Sequence, residues 1–336
     1  MKALLRFLLL CLLLAAGAAR ADGCTATLSD VQFTAVSPIT GSDVTASASG
    51  TVSCNWNLLS ATPPFVLLFP KAVVCVNIGV GSNSTGANPR TLGQGANRLD
   101  YNLYRDNSYA ASSIAGAPGV SGALTPLTLN LTAPNILTGG VFSAPFTVYG
   151  KITAGAALAA VPTAGNGDTV YSSSFAGAAT ISYAFYNLFA PACTAGASSS
   201  FSFQVQATVI NDCTVSASPI SFANGGVLSS AVRATGSLSV RCVNNNAYQI
   251  ALNGGSVSGN VAARQMQRFG GSERLNYDLS ATLDGPGWGD GSGATAKVGG
   301  TGSGQTSVLT IYARVPAQAA PVPGDYKDTV TATIYF

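Results

Sequence analysis

Asp328-Thr329-Val330-Thr331-Ala332-Thr333-Ile334-Tyr335-Phe336 sets Val330, Ala332, Ile334 and Phe336 on one side of an extended chain and Thr329, Thr331, Thr333 and Tyr335 on the other. A strict period of two describes a strand with one face against a core. Neither proline nor a charged side chain interrupts it after Asp328, although natural sheets usually blunt an exposed edge in that way. Two readings stay open: a central strand flanked on both sides, or a free edge that another chain can extend.

The rest of the sequence repeats this strand and its surroundings. Gly324 to Phe336 has a counterpart in Gly167 to Phe185. Leu309-Thr310-Ile311-Tyr312-Ala313-Arg314-Val315 matches Phe146-Thr147-Val148-Tyr149-Gly150-Lys151-Ile152. Glu273-Arg274-Leu275-Asn276-Tyr277-Asp278-Leu279 matches Asn97-Arg98-Leu99-Asp100-Tyr101-Asn102-Leu103. Further out, Cys213-Thr214-Val215-Ser216 matches Cys24-Thr25-Ala26-Thr27, and each opens a stretch that holds an early aromatic, Phe222 or Phe33, and closes on a second cysteine, Cys242 or Cys54. The two cysteine spacings are 29 and 30 residues. Blocks recurring in one order mean two copies of one domain. The expected limits are a leader over 1–21, an N-terminal domain over 22–197 and a C-terminal domain over 198–336.

Cys11 lies in the leader, whose Lys2 and Arg6, apolar run Phe7 to Ala16 and Ala19-Arg20-Ala21 form a secretory signal. The apolar run is too short to span a bilayer, and no later stretch is long enough to do so. The mature chain is expected to begin near Asp22 and to be exported. Cys24, Cys54, Cys75, Cys193, Cys213 and Cys242 remain, an even number without a C-x-x-C pair, which in an exported protein favours disulfides. The duplication pairs Cys24 with Cys54 and Cys213 with Cys242, leaving Cys75 with Cys193.

Composition narrows the function. The chain has no histidine and only 13 carboxylate side chains, so the usual general base, the commonest metal ligand and every Ser-His or Cys-His pair are missing. Catalysis, cofactors and metals are not expected. A net charge of +3, scattered along the chain, gives no nucleic-acid footprint. Short β-branched and aromatic runs between Gly, Pro, Asn and Ser clusters predict an all-β fold of two tandem sandwiches.

The blocks C-T-x-S/T, R-L-x-Y-x-L and Gly324-Asp325-Tyr326-Lys327-Asp328-Thr329-Val330-Thr331-Ala332-Thr333-Ile334-Tyr335-Phe336 resemble the spore coat protein U domain family, which includes subunits of archaic chaperone–usher pili of the Csu type. The second half matches along nearly its whole length and the first only at the blocks named. The resemblance implies immunoglobulin-like sandwiches, the C-terminal one completed by a strand donated from another subunit. The partners it implies are a periplasmic chaperone, an outer-membrane usher and the next pilus subunit, with Val330, Ala332, Ile334 and Phe336 as the edge strand they meet. A two-copy chain resembles the tip adhesin, exported through the periplasm to the cell surface. Cys24 stands so near the expected mature N-terminus that no donor strand precedes it, as the tip position requires.

Ser200 to Val209 also alternates, with Phe201, Phe203, Val205, Ala207 and Val209 on one side. It can complete the first domain or begin the second. The first domain is also longer than the second in three places, each apolar: Pro63, Pro64, Phe65, Val66, Leu67, Leu68 and Phe69; a stretch with Val120 and Leu124; and one with Leu158 and Val161. Inserted loops lie at the surface, and exposed apolar patches mark interaction sites. These residues are therefore expected to contact hydrophobic surfaces, as in biofilm formation, although Phe65 to Phe69 also reads as a buried strand. A structural pilus or coat subunit without surface recognition is the alternative, and a secreted carbohydrate-binding or hydrolytic sandwich a third.

Overall fold

The structure, a computed structural model, describes residues 22–56, 71–133, 140–225, 227–319 and 321–336. The expected leader lies outside them. The first half forms β1 (Gly23–Leu28), β2 (Val31–Val36), β3 (Val44–Trp56), β4 (Lys71–Ile78), β5 (Arg90–Gln94), β6 (Asn97–Tyr104), β7 (Leu127–Thr132), β8 (Gly140–Ile152), β9 (Thr169–Ser174), β10 (Ala179–Tyr186), β11 (Ala197–Phe201) and β12 (Gln204–Val209). The second half forms β13 (Cys213–Ala217), β14 (Val232–Cys242), β15 (Ala247–Leu252), β16 (Arg264–Arg268), β17 (Arg274–Ser280), β18 (Val298–Thr301), β19 (Thr306–Val315), β20 (Tyr326–Lys327) and β21 (Ala332–Tyr335). The described helices are short turns, none long and apolar enough to cross a membrane.

The chain divides into two compact units. One comprises the residues through Phe33 with Val44–Thr153 and Tyr171–Ala207; the other comprises Thr34–Asp43, Ala154–Val170 and Thr208–Phe336. The first sandwich faces an eight-stranded sheet, β1-β3-β8-β6-β5-β9-β12-β2, with a four-stranded one, β11-β10-β4-β7. The second has a six-stranded sheet, β13-β14-β19-β17-β16-β20, and a three-stranded one, β18-β15-β21. The duplication is therefore structural: β1-β3-β8-β6-β5-β9 corresponds strand for strand to β13-β14-β19-β17-β16-β20. Strand β3 shows how the pattern works, since Ala48, Gly50, Val52, Cys54 and Trp56 are buried while the residues that alternate with them are not.

Cys24 joins Cys54 across the β1–β3 pair, and Cys213 joins Cys242 across β13–β14. Cys75, in the centre of β4, joins Cys193 just ahead of β11. The first two pairings are those that the duplication predicts, and the third joins the two cysteines that it leaves over. Strand β4 is buried on both faces from Ala72 to Ile78, whereas Gln249 of β15, at the position of Cys75, is exposed.

Each unit also contains a buried arginine that sequence reasoning passed over. The Arg90 guanidinium opens β5 and donates to the carbonyls of Gly79 at 2.9 Å, Ile78 at 3.1 Å, Ala115 at 2.7 Å and Ala87 at 3.3 Å. Arg264 opens β16 and donates to the carbonyls of Asn253 at 2.8 Å, Leu252 at 3.0 Å and Trp288 at 2.8 Å. Burial pushes the Arg90 pKa down to about 10 and lowers that of Arg264 for the same reason. Both satisfy the carbonyls at the end of a central strand, where no ladder continues. Replacing either by methionine keeps the apolar stem and strands those carbonyls. Urea denaturation of Arg90→Met or Arg264→Met is expected to show a loss of about 3–5 kcal/mol in the affected unit.

Candidate strand-acceptor site

The two units differ in how their cores are finished. In the first, Ala197 to Val209 runs as β11 and then β12. Strand β11 pairs with β10, placing Phe201 opposite Ala179 and Ala197 opposite Tyr183. Strand β12 lies between β9 and β2. Of the two placements open for Ser200–Val209, the segment thus occupies the first sandwich, and pairing continues through the domain limit expected after residue 197. Phe201, Phe203, Val205, Ala207 and Val209 are all buried, while the residues between β12's inward side chains are not. The Phe175 amide donates to the Phe203 carbonyl at 3.0 Å, the Gln204 amide to the Asp30 carboxylate at 2.7 Å, and the Phe175 and Phe203 rings stack at 4.4 Å.

In the second unit the six-stranded sheet ends at β20, and the smaller sheet ends at β21, which pairs with β15 alone among the described strands. Among the described residues no strand stands where β11 and β12 stand in the first. Duplicated positions register the difference. Tyr171, Ala179 and Ile181 are each 0% exposed, and Phe33 is 1% exposed. Their counterparts Tyr326, Ala332, Ile334 and Phe222 are only partly buried. The correspondence of Ala179 with Ala332 follows from register: they sit opposite Ile78 and Leu252, whose carbonyls the two arginines hold. Phe146, buried in β8, corresponds to Leu309, partly open in β19. The apolar composition is unchanged and the cover is missing.

The edge strand itself is firmly seated. Asp328 Oδ1 accepts from the amides of Ser256 at 2.8 Å, Val257 at 3.1 Å and Thr329 at 2.8 Å, and Oδ2 accepts the Tyr277 hydroxyl at 2.7 Å. Burial, followed by this carboxylate, raises the Tyr277 pKa above its ordinary value. Gly255, at φ 79°, passes so close to Asp328 that a Cβ there would overlap the carboxylate. Val330, Ala332 and Ile334 then face the core, and Phe336 is 48% exposed. The motif containing Asp328 was legible in sequence, but its anchoring role needed the fold.

The apolar residues expected to contact hydrophobic surfaces lie in different surroundings. Pro63, Pro64, Phe65, Val66, Leu67, Leu68 and Phe69 lie outside the described residues. Leu158 and Val161 are buried, because the helical turn Ala156–Ala159 is held inside the second unit, where the Asn244 side chain donates to the Ala160 carbonyl at 2.8 Å. They are core and offer no surface. Val120 packs against a small cluster of Ala87, Tyr104, Ile114 and Ala123, while Leu124 is exposed beside it. Both lie toward the Ile78 end of β4, since the Ile78 amide donates to Gly116 and the Gly116 amide to Thr125. At the opposite end of that strand Lys71 is flanked by Thr132 and Tyr186, and on the facing sheet Trp56 pairs with Gly140. Trp56, Lys71, Thr132, Gly140 and Tyr186 therefore stand at one end of the first unit, where the Phe142 and Phe185 rings meet at 6.5 Å. Val141, Leu188 and Phe189, none of them singled out by sequence, are exposed there at 60%, 66% and 82%.

Comparisons with known proteins agree with this architecture. The structure is similar to the CsuC–CsuE chaperone–tip adhesion subunit pre-assembly complex from archaic chaperone–usher Csu pili of Acinetobacter baumannii, at 16% identity over 94% of this chain and 100% of that one, with a TM-score of 0.53. A second likeness, to the minor tip subunit HdaB of the E. coli Hda pilus, covers 36% of this chain and 79% of that one at 17% identity and a TM-score of 0.25. No curated protein matches the sequence. The profile of the Spore Coat Protein U domain matches residues 10–171 and again 199–333. A match that covers most of the sequence in two successive copies, laid on two sandwiches of the same strand order, settles the family: the chain belongs to the Spore Coat Protein U domain family.

Proposed function

We propose that this chain is the tip adhesin subunit of a chaperone–usher pilus, whose second unit accepts a β-strand from a periplasmic chaperone and then from the next subunit at the usher. The observation that carries this reading lies within the chain. Residues 197–209 show what finishes such a sandwich, and the second unit lacks that segment while keeping the apolar positions it would cover. An incoming strand gains main-chain hydrogen bonds along β21 and buries alternate side chains, each stabilising by about 1.5–3 kcal/mol before the cost of ordering it. The family, and a likeness in fold to a protein described as a tip adhesion subunit bound to its chaperone, support the same reading.

Appending Ser199–Ile210 after Phe336 through a Gly/Ser linker supplies the strand within the chain. The second unit is then expected to gain about 3–5 kcal/mol in urea denaturation. The same extension with Val205 and Ala207 changed to Asp is expected to gain nothing. Equal stability for the two fusions would remove the acceptor assignment.

In this reading the apolar end of the first unit meets hydrophobic surfaces and supports biofilm formation. Its support is the joint exposure of Val141, Leu188 and Phe189 at the end of the first unit where Trp56 and Lys71 stand. Changing the three to serine removes exposed apolar area without touching the core. Circular dichroism and thermal midpoint should stay as they are, while adsorption of the purified chain to polystyrene beads should drop about tenfold, equivalent to ~1.4 kcal/mol. Undiminished adsorption would leave strand acceptance standing and favour a structural subunit without surface recognition.

A further inference from the structure

Within each unit one glycine lies beneath an apolar side chain of the segment that follows the first strand, but on different strands of the sheet. In the first unit a Cβ on Gly150 of β8 would come within 2.6 Å of the Phe33 ring and 3.1 Å of Val31 Cγ1, so Phe33 packs where only a glycine leaves room. In the second unit a Cβ on Gly236 of β14 would come within 2.5 Å of Ile220 Cγ1. The counterparts are exchanged. Gly150 sits opposite Leu103, as Ala313 sits opposite Leu279; Ala48 sits opposite Val148, as Gly236 sits opposite Ile311. The first unit therefore carries alanine on β3 and glycine on β8, and the second carries glycine on β14 and alanine on β19.

The following segment takes correspondingly different paths. In the first unit it forms β2, pairs beside β12, and buries Val31, Phe33 and Val36. The start of the segment is tied alike in both copies, the Ser29 amide donating to the Ser49 carbonyl at 3.1 Å and the Ser218 amide to the Ser237 carbonyl at 2.9 Å, and beyond that tie Ile220 of the second copy lies over Gly236 of β14. Phe222 packs against the rim of the core but stays partly exposed, and among the described residues no strand forms between β13 and β14. The Ala313 methyl occupies the place against which Phe33 lies in the other copy.

We propose that this exchange of glycine and alanine steers the segment, and that Ala313 acts as a positioning residue that keeps Phe222 out of the core so that the groove stays open for an incoming strand. The proposal rests on the acceptor reading above. A methyl group at residue 313 holds the aromatic ring off β19, and the glycine at residue 236 gives Ile220 a seat on the far strand. A core built to receive a foreign strand must not be filled by its own chain, and a displacement of one side chain is enough to decide this because the interior tolerates little overlap.

The test uses the full chain carrying Gly236→Ala with Ala313→Gly, and Ala313→Gly alone should the pair fail to fold. Amide hydrogen exchange over residues 218–224 is compared with wild type, and uptake of a labelled peptide of residues 199–210 is measured by anisotropy. Exchange is expected to slow about tenfold as Phe222 turns inward, and the peptide's affinity to fall by a similar factor. Unchanged exchange in the segment overturns the proposal, and so does slowed exchange with undiminished uptake. Should wild type take up no peptide, the acceptor reading fails, while the exchange measurement still decides whether Ala313 steers Phe222.

Discussion

A β-sandwich has to cover its core along every edge, because each uncovered strand leaves both a row of unpaired backbone groups and a strip of apolar side chains in water. The difference between the open and the closed half of this chain follows from how that requirement is met. The first half meets it with thirteen consecutive residues, Ala197 to Val209, which change sheets midway and bury five alternate apolar side chains. The second half has the same cysteine bridge, the same arginine under the same carbonyls and the same strand order, and leaves the place empty.

The shared parts show what makes each unit stable. A disulfide fastens the first strand to its neighbour, and a buried guanidinium closes the hydrogen-bond account where the central strand ends. Neither depends on the missing strand. In the second unit Asp328 adds a further lock, gathering the amides of Ser256, Val257 and Thr329 and the hydroxyl of Tyr277 at the start of the edge strand. An edge held in this way can present its free hydrogen-bonding side in a fixed register, which is what pairing with another chain requires.

The unpaired part accounts for the division of labour that we propose. A unit completed by its own chain has no groove to share, and its exposed apolar residues, Val141, Leu188 and Phe189, are free for contacts of another kind. A unit whose groove stays open is committed to a strand-shaped partner. Duplication followed by the loss or retention of one covering segment gives both kinds from one fold.

Much of this was legible in sequence. Period-two alternation over 201–209 marked the side chains that β12 and the end of β11 bury, and over 330–336 it marked the side on which Val330, Ala332 and Ile334 face the core, because alternation is a local property of extended backbone. Repeated blocks revealed the duplication, equivalent positions in them gave two of the disulfides, and the third was the pair left over. The tertiary structure decided what depends on neighbours far away in the chain. Leu158 and Val161 look like an exposed apolar insertion, yet they are core, since burial depends on what packs over a residue and not on its own composition. The roles of Arg90 and Arg264 could not be read either: apart from the Ala87 carbonyl, their partners are carbonyls 11 to 25 residues away that only folding brings to them. Whether Ser200–Val209 finished one sandwich or began the next was likewise a question of which edges stood open. Alternation specifies that a strand has a buried face; which core that face covers is fixed by the sheets waiting for it.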